Sequence, residues 1–155
     1  MTDQKWPQTI WIARHGQSAG NVARDDAEAA GHPLIDIAIR DVDVPLSALG
    51  EEQAQALGQW FGDLPGQARP GVVLCSPYRR ARQTAQLVIE EGRLDVEPPG
   101  CICDERLREK EFGILDRLTR HGIALKYPEL NEQRLHVGKF YFRPPGGESW
   151  CDVIL

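Results

Sequence analysis

Apolar residues along this chain gather in two kinds of run, and the spacing within each predicts a different element. Thr9-Ile10-Trp11-Ile12-Ala13 and Gly71-Val72-Val73-Leu74-Cys75 are short, near-continuous and closed by polar turns, the pattern of strands buried on both faces of a parallel sheet. Between Ser47 and Gly62 the residues Leu49, Ala54, Leu57, Trp60 and Phe61 recur at helical spacing behind a serine suited to an N-cap, which predicts an amphipathic helix. Ser76-Pro77 opens a second helical run carrying Ala81, Ala85, Val88 and Ile89, with proline in the first-turn region that tolerates it. Leu94 to Glu97 and Cys101 to Cys103 are weaker strand candidates separated by Pro98-Pro99-Gly100, and one of them is expected in the sheet.

Strands alternating with helices predict an α/β fold with a parallel sheet, whose ligands sit beyond the carboxyl ends of the strands. Arg14-His15-Gly16 and Ser76-Pro77-Tyr78-Arg79-Arg80 both lie at such ends. Gly31 to Val44 reads as a loop, a lid or a partly mobile connection. At 155 residues, 41% hydrophobic and 26% charged, the chain fits one ordinary globular domain over residues 1–155.

Charge narrows the partners. A formal net charge of −5 argues against nucleic acid, and it requires any anion-binding arginines to be concentrated in one pocket. Met1 to Gln8 lacks the pattern of a secretory signal, and no window approaches the roughly 20 apolar residues of a membrane span. A cytoplasmic protein without membrane or nucleic-acid partners is expected, with a homodimer as an open assembly. Cys75, Cys101, Cys103 and Cys151 are expected as reduced thiols. Cys101-Ile102-Cys103 lacks the two-residue spacer of common zinc and redox motifs, so no metal and no cofactor are expected.

His15 directly follows the first predicted strand, with Arg14 before it and Gly16 after it. Neutral imidazole is a competent nucleophile near pH 7, and a phosphohistidine divides one hard transfer into two easier ones. Gly16 permits close backbone approach to a phosphate. The same three letters recur at Arg120-His121-Gly122, but behind a polar stretch with no strand, which predicts a surface helix or turn there.

The run Arg14-His15-Gly16-Gln17-Ser18-Ala19-Gly20-Asn21 resembles the signature of the phosphoglycerate mutase-like branch of the histidine phosphatase superfamily. Asp43-Val44-Pro45-Leu46-Ser47-Ala48-Leu49-Gly50, Ser76-Pro77-Tyr78-Arg79-Arg80-Ala81-Arg82-Gln83-Thr84-Ala85 and Gly146-Gly147-Glu148-Ser149 resemble further segments of that family in its order. Tyr78 stands at a usual leucine. The resemblance implies a three-layer α/β/α fold and a metal-independent phosphatase acting on a small phosphorylated substrate. In it His15 is the nucleophile, Arg14, Asn21 and Arg80 bind phosphate, and Glu109, within Asp104 to Gly113, donates the proton, with Glu105 and Glu111 as rivals. Paired guanidinium forks suit a phosphoryl group whose charge spreads over its equatorial oxygens. Arg79 and Arg82 read as an exposed helix face.

Residues 118–143 correspond to the family's variable, substrate-covering insertion. Tyr127, Phe140, Tyr141 and Phe142 are expected to pack beneath it, and Arg120, Lys139 and Arg143 are candidate ligand contacts. The family carries a second catalytic histidine after a later strand, and none of His32, His121 or His136 follows an apolar run. By that standard the chain is expected to be incomplete at its C-terminus. Two other readings stay open: mutase-type phosphoryl transfer, and a non-catalytic phosphate-binding domain.

Overall fold

A computed structural model describes residues 6–154; the first five residues of the polar Met1 to Gln8 stretch, and Leu155, lie outside the described residues. In chain order the elements are α1 (Ala19–Ala29), α2 (Ala48–Asp63), β1 (Leu74–Cys75), α3 (Arg79–Gly92), β2 (Ile102–Cys103), α4 (Arg120–Lys126), α5 (Pro128–Val137) and α6 (Trp150–Ile154). Short 3-10 turns, among them Asp41–Asp43, fill several connections. Among the described residues no helix is long and apolar enough to cross a membrane.

The helix α2 begins where its cap residue predicts: the Ser47 hydroxyl accepts from the Gly50 amide at 3.1 Å. Its buried stripe is Gly50, Ala54, Gly58 and Phe61. This stripe packs lengthwise on α3, where Phe61, Val88, Leu94 and Val96 form the main core with Leu57, Val73 and Ile89 against them. Burying Phe61 contributes about 2–3 kcal/mol by its apolar area. The two helices approach closely because a Cβ on Gly92 would stand 2.6 Å from the Gly58 carbonyl oxygen. Leu49 and Trp60, predicted for the buried face, lie on its edge and stay exposed.

The pair β1 and β2 is parallel, with Leu74 opposite Ile102 and Cys75 opposite Cys103. Of the two weak strand candidates, the Cys101 to Cys103 segment is the one in the sheet. Residues 9–13 pair with no described strand, although they share with Val72 and Leu74 the walls of a groove of about 820 Å³. Ile10 and Ile12 are 72% and 95% exposed, so a run with the composition of a central strand lacks here the neighbours that would bury it. The α/β class holds, with a two-stranded parallel sheet among the described residues.

A second cluster, Leu115, Ile123 and Phe142 with Leu118, Tyr127 and Leu130, lies under α4 and α5. Tyr127 and Phe142 pack as expected; Phe140 and Tyr141 do not, being 45% and 68% exposed, because they stack edge-to-face on each other at 5.0 Å instead of entering the core. The Arg120-His121-Gly122 triplet forms the first turn of α4 behind its Thr119 cap; Arg120 and His121 are exposed, in keeping with a surface reading, whereas Gly122 is buried where a Cβ would stand 1.9 Å from the Pro33 carbonyl oxygen.

Candidate active site

The loop that leaves Ala13 is held by two elements before it reaches α1. The Gly16 amide donates to the Thr84 hydroxyl of α3 at 3.2 Å, and that hydroxyl donates to the Arg80 carbonyl at 2.8 Å. On its other side the loop touches the start of α2. A Cβ on Gly16 would stand 2.3 Å from the Gly50 carbonyl oxygen, and one on Gly50 would stand 1.9 Å from the Gln17 carbonyl oxygen. Only two glycines allow this contact. Gln17 completes the joint, its carbonyl accepting from the Ser47 amide at 2.9 Å and its amide donating to Gln53 at 2.8 Å.

This frame orients the imidazole of His15, which is half-buried. Its Nδ1 lies 2.7 Å from the Gly16 carbonyl oxygen. A carbonyl can only accept, which assigns the ring proton to Nδ1 and leaves the lone pair on Nε2. Nε2 in turn accepts from Arg80 Nε at 3.2 Å. Burial lowers the His15 pKa below its usual 6.5, Arg80 and Arg14 push the same way, and the Gly16 carbonyl and Glu109 oppose them. The balance favours a neutral ring with its nucleophilic nitrogen toward a guanidinium.

Arg80 lies in the first turn of α3 and is only 7% exposed. Its guanidinium makes a bidentate ion pair with Asp41, at 2.9 Å and 3.1 Å, and also donates to the Asp41 carbonyl at 2.7 Å. Tyr78 packs its ring against it, 4.8 Å from centroid to guanidinium carbon. Burial, with Glu111 and Asp41 next, pushes the Tyr78 phenol up to about 12, so it stays protonated and its hydroxyl reaches toward the Glu109 carbonyl at 3.5 Å.

A cleft of about 210 Å³ gathers Arg14, His15, Asn21, Arg80 and Glu109 in its walls, together with Asp41, Arg24 and Arg117. All five residues singled out from the sequence therefore meet in one place. The rival acids Glu105 and Glu111 are not in the walls, and of residues 118–143 only Leu118 is. Arg143 pairs with Asp152, and neither Arg120 nor Lys139 reaches the cleft. A larger cavity of about 350 Å³ borders Arg14 and His15 from the other side, and apart from these, Ser76 and Thr84 its walls are mostly apolar, among them Trp11, Leu57, Phe61 and Val72. An anion belongs in the smaller, arginine-lined cleft.

Asn21 sits differently from the simplest expectation. Its Oδ1 accepts from the Ser18 amide at 3.0 Å while the Ser18 hydroxyl accepts from the Asn21 amide at 3.1 Å, a reciprocal cap on α1. The acceptor oxygen is occupied, so the side-chain NH2 is the group of Asn21 left to donate to a further partner. The segment bearing Glu109 is fastened by Glu148. That carboxylate accepts both arms of Arg108 and the Glu111 amide, and Arg108 holds its pKa down at about 2.

Asp41, Tyr78 and Glu148 were not singled out for these contacts by the sequence. Asp41 and Glu148 pair with arginines 39 and 40 positions away, a separation with no local spacing signal. The aspartates clustered before Pro45 were the one visible hint.

The family model described as histidine phosphatase superfamily (branch 1) matches residues 10–154. The chain is 31% identical over 149 residues to a 6-phosphofructo-2-kinase/fructose-2,6-bisphosphatase of Caenorhabditis elegans, covering 96% of this chain and 27% of that protein. It is 29% identical over 148 residues to a 2,3-bisphosphoglycerate-dependent phosphoglycerate mutase of Sinorhizobium fredii, covering 94% of this chain and 61% of the mutase. Among solved structures, a mycobacterial glucosyl-3-phosphoglycerate phosphatase superposes with a TM-score of 0.63 at 30% identity, over 90% of this chain and 55% of the other. The chain thus spans less than two thirds of each of these relatives. With a match over nearly its whole length, it belongs to branch 1 of the histidine phosphatase superfamily.

Proposed function

We propose that this cleft takes a phosphoryl group from a small phosphate monoester onto Nε2 of His15 and then passes it to water. The observation that carries the reading is the pairing of a tautomer-fixed imidazole, Nδ1 on the Gly16 carbonyl, with a buried guanidinium 3.2 Å from Nε2. A phosphate placed there meets the nucleophile and its counter-charge together.

In the first step the Nε2 lone pair forms a bond to phosphorus in line with the ester oxygen, the P–O bond breaks, and the Glu109 carboxyl gives its proton to the departing alkoxide. In the second, Glu109 as carboxylate takes a proton from water, the water oxygen bonds to phosphorus, and the P–N pair returns to Nε2. Arg14, Arg80 and the side-chain NH2 of Asn21 neutralise and orient the phosphoryl oxygens. Nothing in this sequence of steps calls for a metal. Residues 118–143 border the substrate only at Leu118. The bridge between Leu34 and Leu118, together with the Thr119 hydroxyl donating to the His32 carbonyl at 2.6 Å, ties that segment to the loop carrying Asp41.

The test is incubation of the full chain with a panel of phosphate monoesters, with mass spectrometry of acid-labile phosphohistidine. Turnover with phosphate on His15, both abolished in His15→Ala, is expected. Phosphate binding without turnover or phosphohistidine would leave a binding domain in its place. Mutase-type transfer is the second reading, favoured by the likeness to the Sinorhizobium fredii phosphoglycerate mutase, and product analysis separates the two by whether free phosphate or an isomeric ester accumulates.

A further inference from the structure

Away from the phosphate cleft, three of the four free cysteines converge on one face of the two-stranded sheet. In the parallel register Cys75 of β1 stands opposite Cys103 of β2, and Cys101, two residues earlier, shares the face of Cys103 because side chains alternate along a strand. The Cys75 sulfur lies 2.9 Å from that of Cys101 and 3.6 Å from that of Cys103. All three sulfurs fall within 4.8 Å of one another. Backbone pairing, not a loop, sets this arrangement: the Ile102 amide donates to the Val73 carbonyl and the Asp104 amide to the Cys75 carbonyl, each at 2.9 Å.

We propose that Cys75, Cys101 and Cys103 form a three-coordinate thiolate site for a thiophilic d10 metal ion, Cu(I) in particular. Metal–sulfur bonds of about 2.3 Å set sulfurs about 4 Å apart around one ion, so the cluster needs to open by only about an ångström. Thiolates select soft ions. Among the described residues no fourth histidine, cysteine or carboxylate belongs to the group. Structural zinc closes its shell with four protein ligands, whereas Cu(I) is satisfied by three sulfurs.

Access also fits. Cys75 is buried, Cys101 half-buried and Cys103 exposed, so an ion reaches the site from the Cys103 side and finishes on a sulfur shielded from water. The single residue between Cys101 and Cys103 is too short for the common zinc spacing, and the third ligand comes from a strand 26 positions away. That explains why the site is silent in the sequence. Loading would also bolt together the two strand ends from which the Arg80 and Glu109 segments depart.

The experiment uses the full chain, reduced and handled without oxygen, titrated with Cu(I) in competition with a chromogenic Cu(I) chelator. Thiol alkylation is read by mass spectrometry. One Cu(I) per chain, with Cys75, Cys101 and Cys103 protected and Cys151 alkylated, is the expected result. Cys101→Ser and Cys103→Ser, at positions where serine keeps the volume, should each weaken retention by about tenfold or more, and Cys151→Ser should change nothing. Circular dichroism verifies that the variants fold. Failure to hold one Cu(I) against the chelator, retention unchanged in the Cys101→Ser/Cys103→Ser double variant, or preference for Zn(II) over Cu(I) would each overturn the proposal.

Discussion

At the scale of single residues, the ion pair of Arg80 and Asp41 carries the clearest consequence. The guanidinium is almost wholly buried while the aspartate is about half exposed, so the carboxylate is the member free to leave. A phosphate approaching His15 has to displace it. Asp41→Asn weakens the competitor and should tighten inorganic phosphate binding several-fold, while costing the fold about 1–3 kcal/mol through a less well paired buried cation. Calorimetric titration and urea unfolding read the two effects separately; unchanged phosphate affinity would refute the competition. His15 gives the second prediction at this scale. Because burial and then Arg80 and Arg14 hold its pKa below 6.5, the unfolded chain takes up that proton at higher pH than the folded one does. Stability attributable to this group is therefore intact above pH 6.5 and declines as pH falls below it. The ring resonances of His15 should titrate with a midpoint under 6.5, moving upward in Arg80→Gln; a midpoint above 6.5 in the unsubstituted chain would contradict the assigned environment.

At the scale of elements, the loop bearing His15 and α2 behave as one part because Gly16 and Gly50 bring their backbones into contact. Gly50→Ala places a methyl group where the Gln17 carbonyl oxygen already is, and the resulting shift should cost about 1–3 kcal/mol, as overpacking does. On the proposed function, turnover of phosphate monoesters should fall with it. Chemical denaturation checks this, and a variant as stable as the parent would mean the contact is slack. The same scale explains what was legible beforehand. Ser47 announces α2, and the periodicity of Ala81, Ala85 and Val88 announces α3, because caps and amphipathic spacing are local signals. His15, Arg14, Asn21, Arg80 and Glu109 were gathered by ordered motifs, and the cleft unites them. The pairing of Arg80 with Asp41, of Arg108 with Glu148, and the meeting of three cysteines depend on chain crossings that no local pattern encodes. The run at residues 9–13 failed as a strand for a related reason: its composition reports the burial a strand requires, not whether a partner lies beside it.

At the scale of the whole molecule, apolar surface is unevenly covered. Ile10, Ile12, Val72 and Leu74 are each more than half exposed around one groove, a concentration unusual for a soluble surface. A dye sensitive to apolar surface, such as anilinonaphthalene sulfonate, should brighten with the folded chain, and Ile12→Glu should dim it; no enhancement would show that this surface is covered in solution. The net charge of −5 acts at the same scale. On the proposed function, the molecule as a whole repels a dianionic ester, so capture would depend on the arginines of the cleft acting within a Debye length of about 8 Å at physiological salt.

The occupied fork of Arg80 reaches into practical chemistry. The guanidinium beside the imidazole holds the Asp41 carboxylate on both arms, so the proposed phosphate seat is complementary to a carboxylate. On the proposed function, citrate, malonate and similar buffers are expected to compete with substrate, and assays belong in carboxylate-free solutions. The same likeness marks compact dicarboxylates, which keep their charge and resist hydrolysis, as starting points for inhibitors of this site.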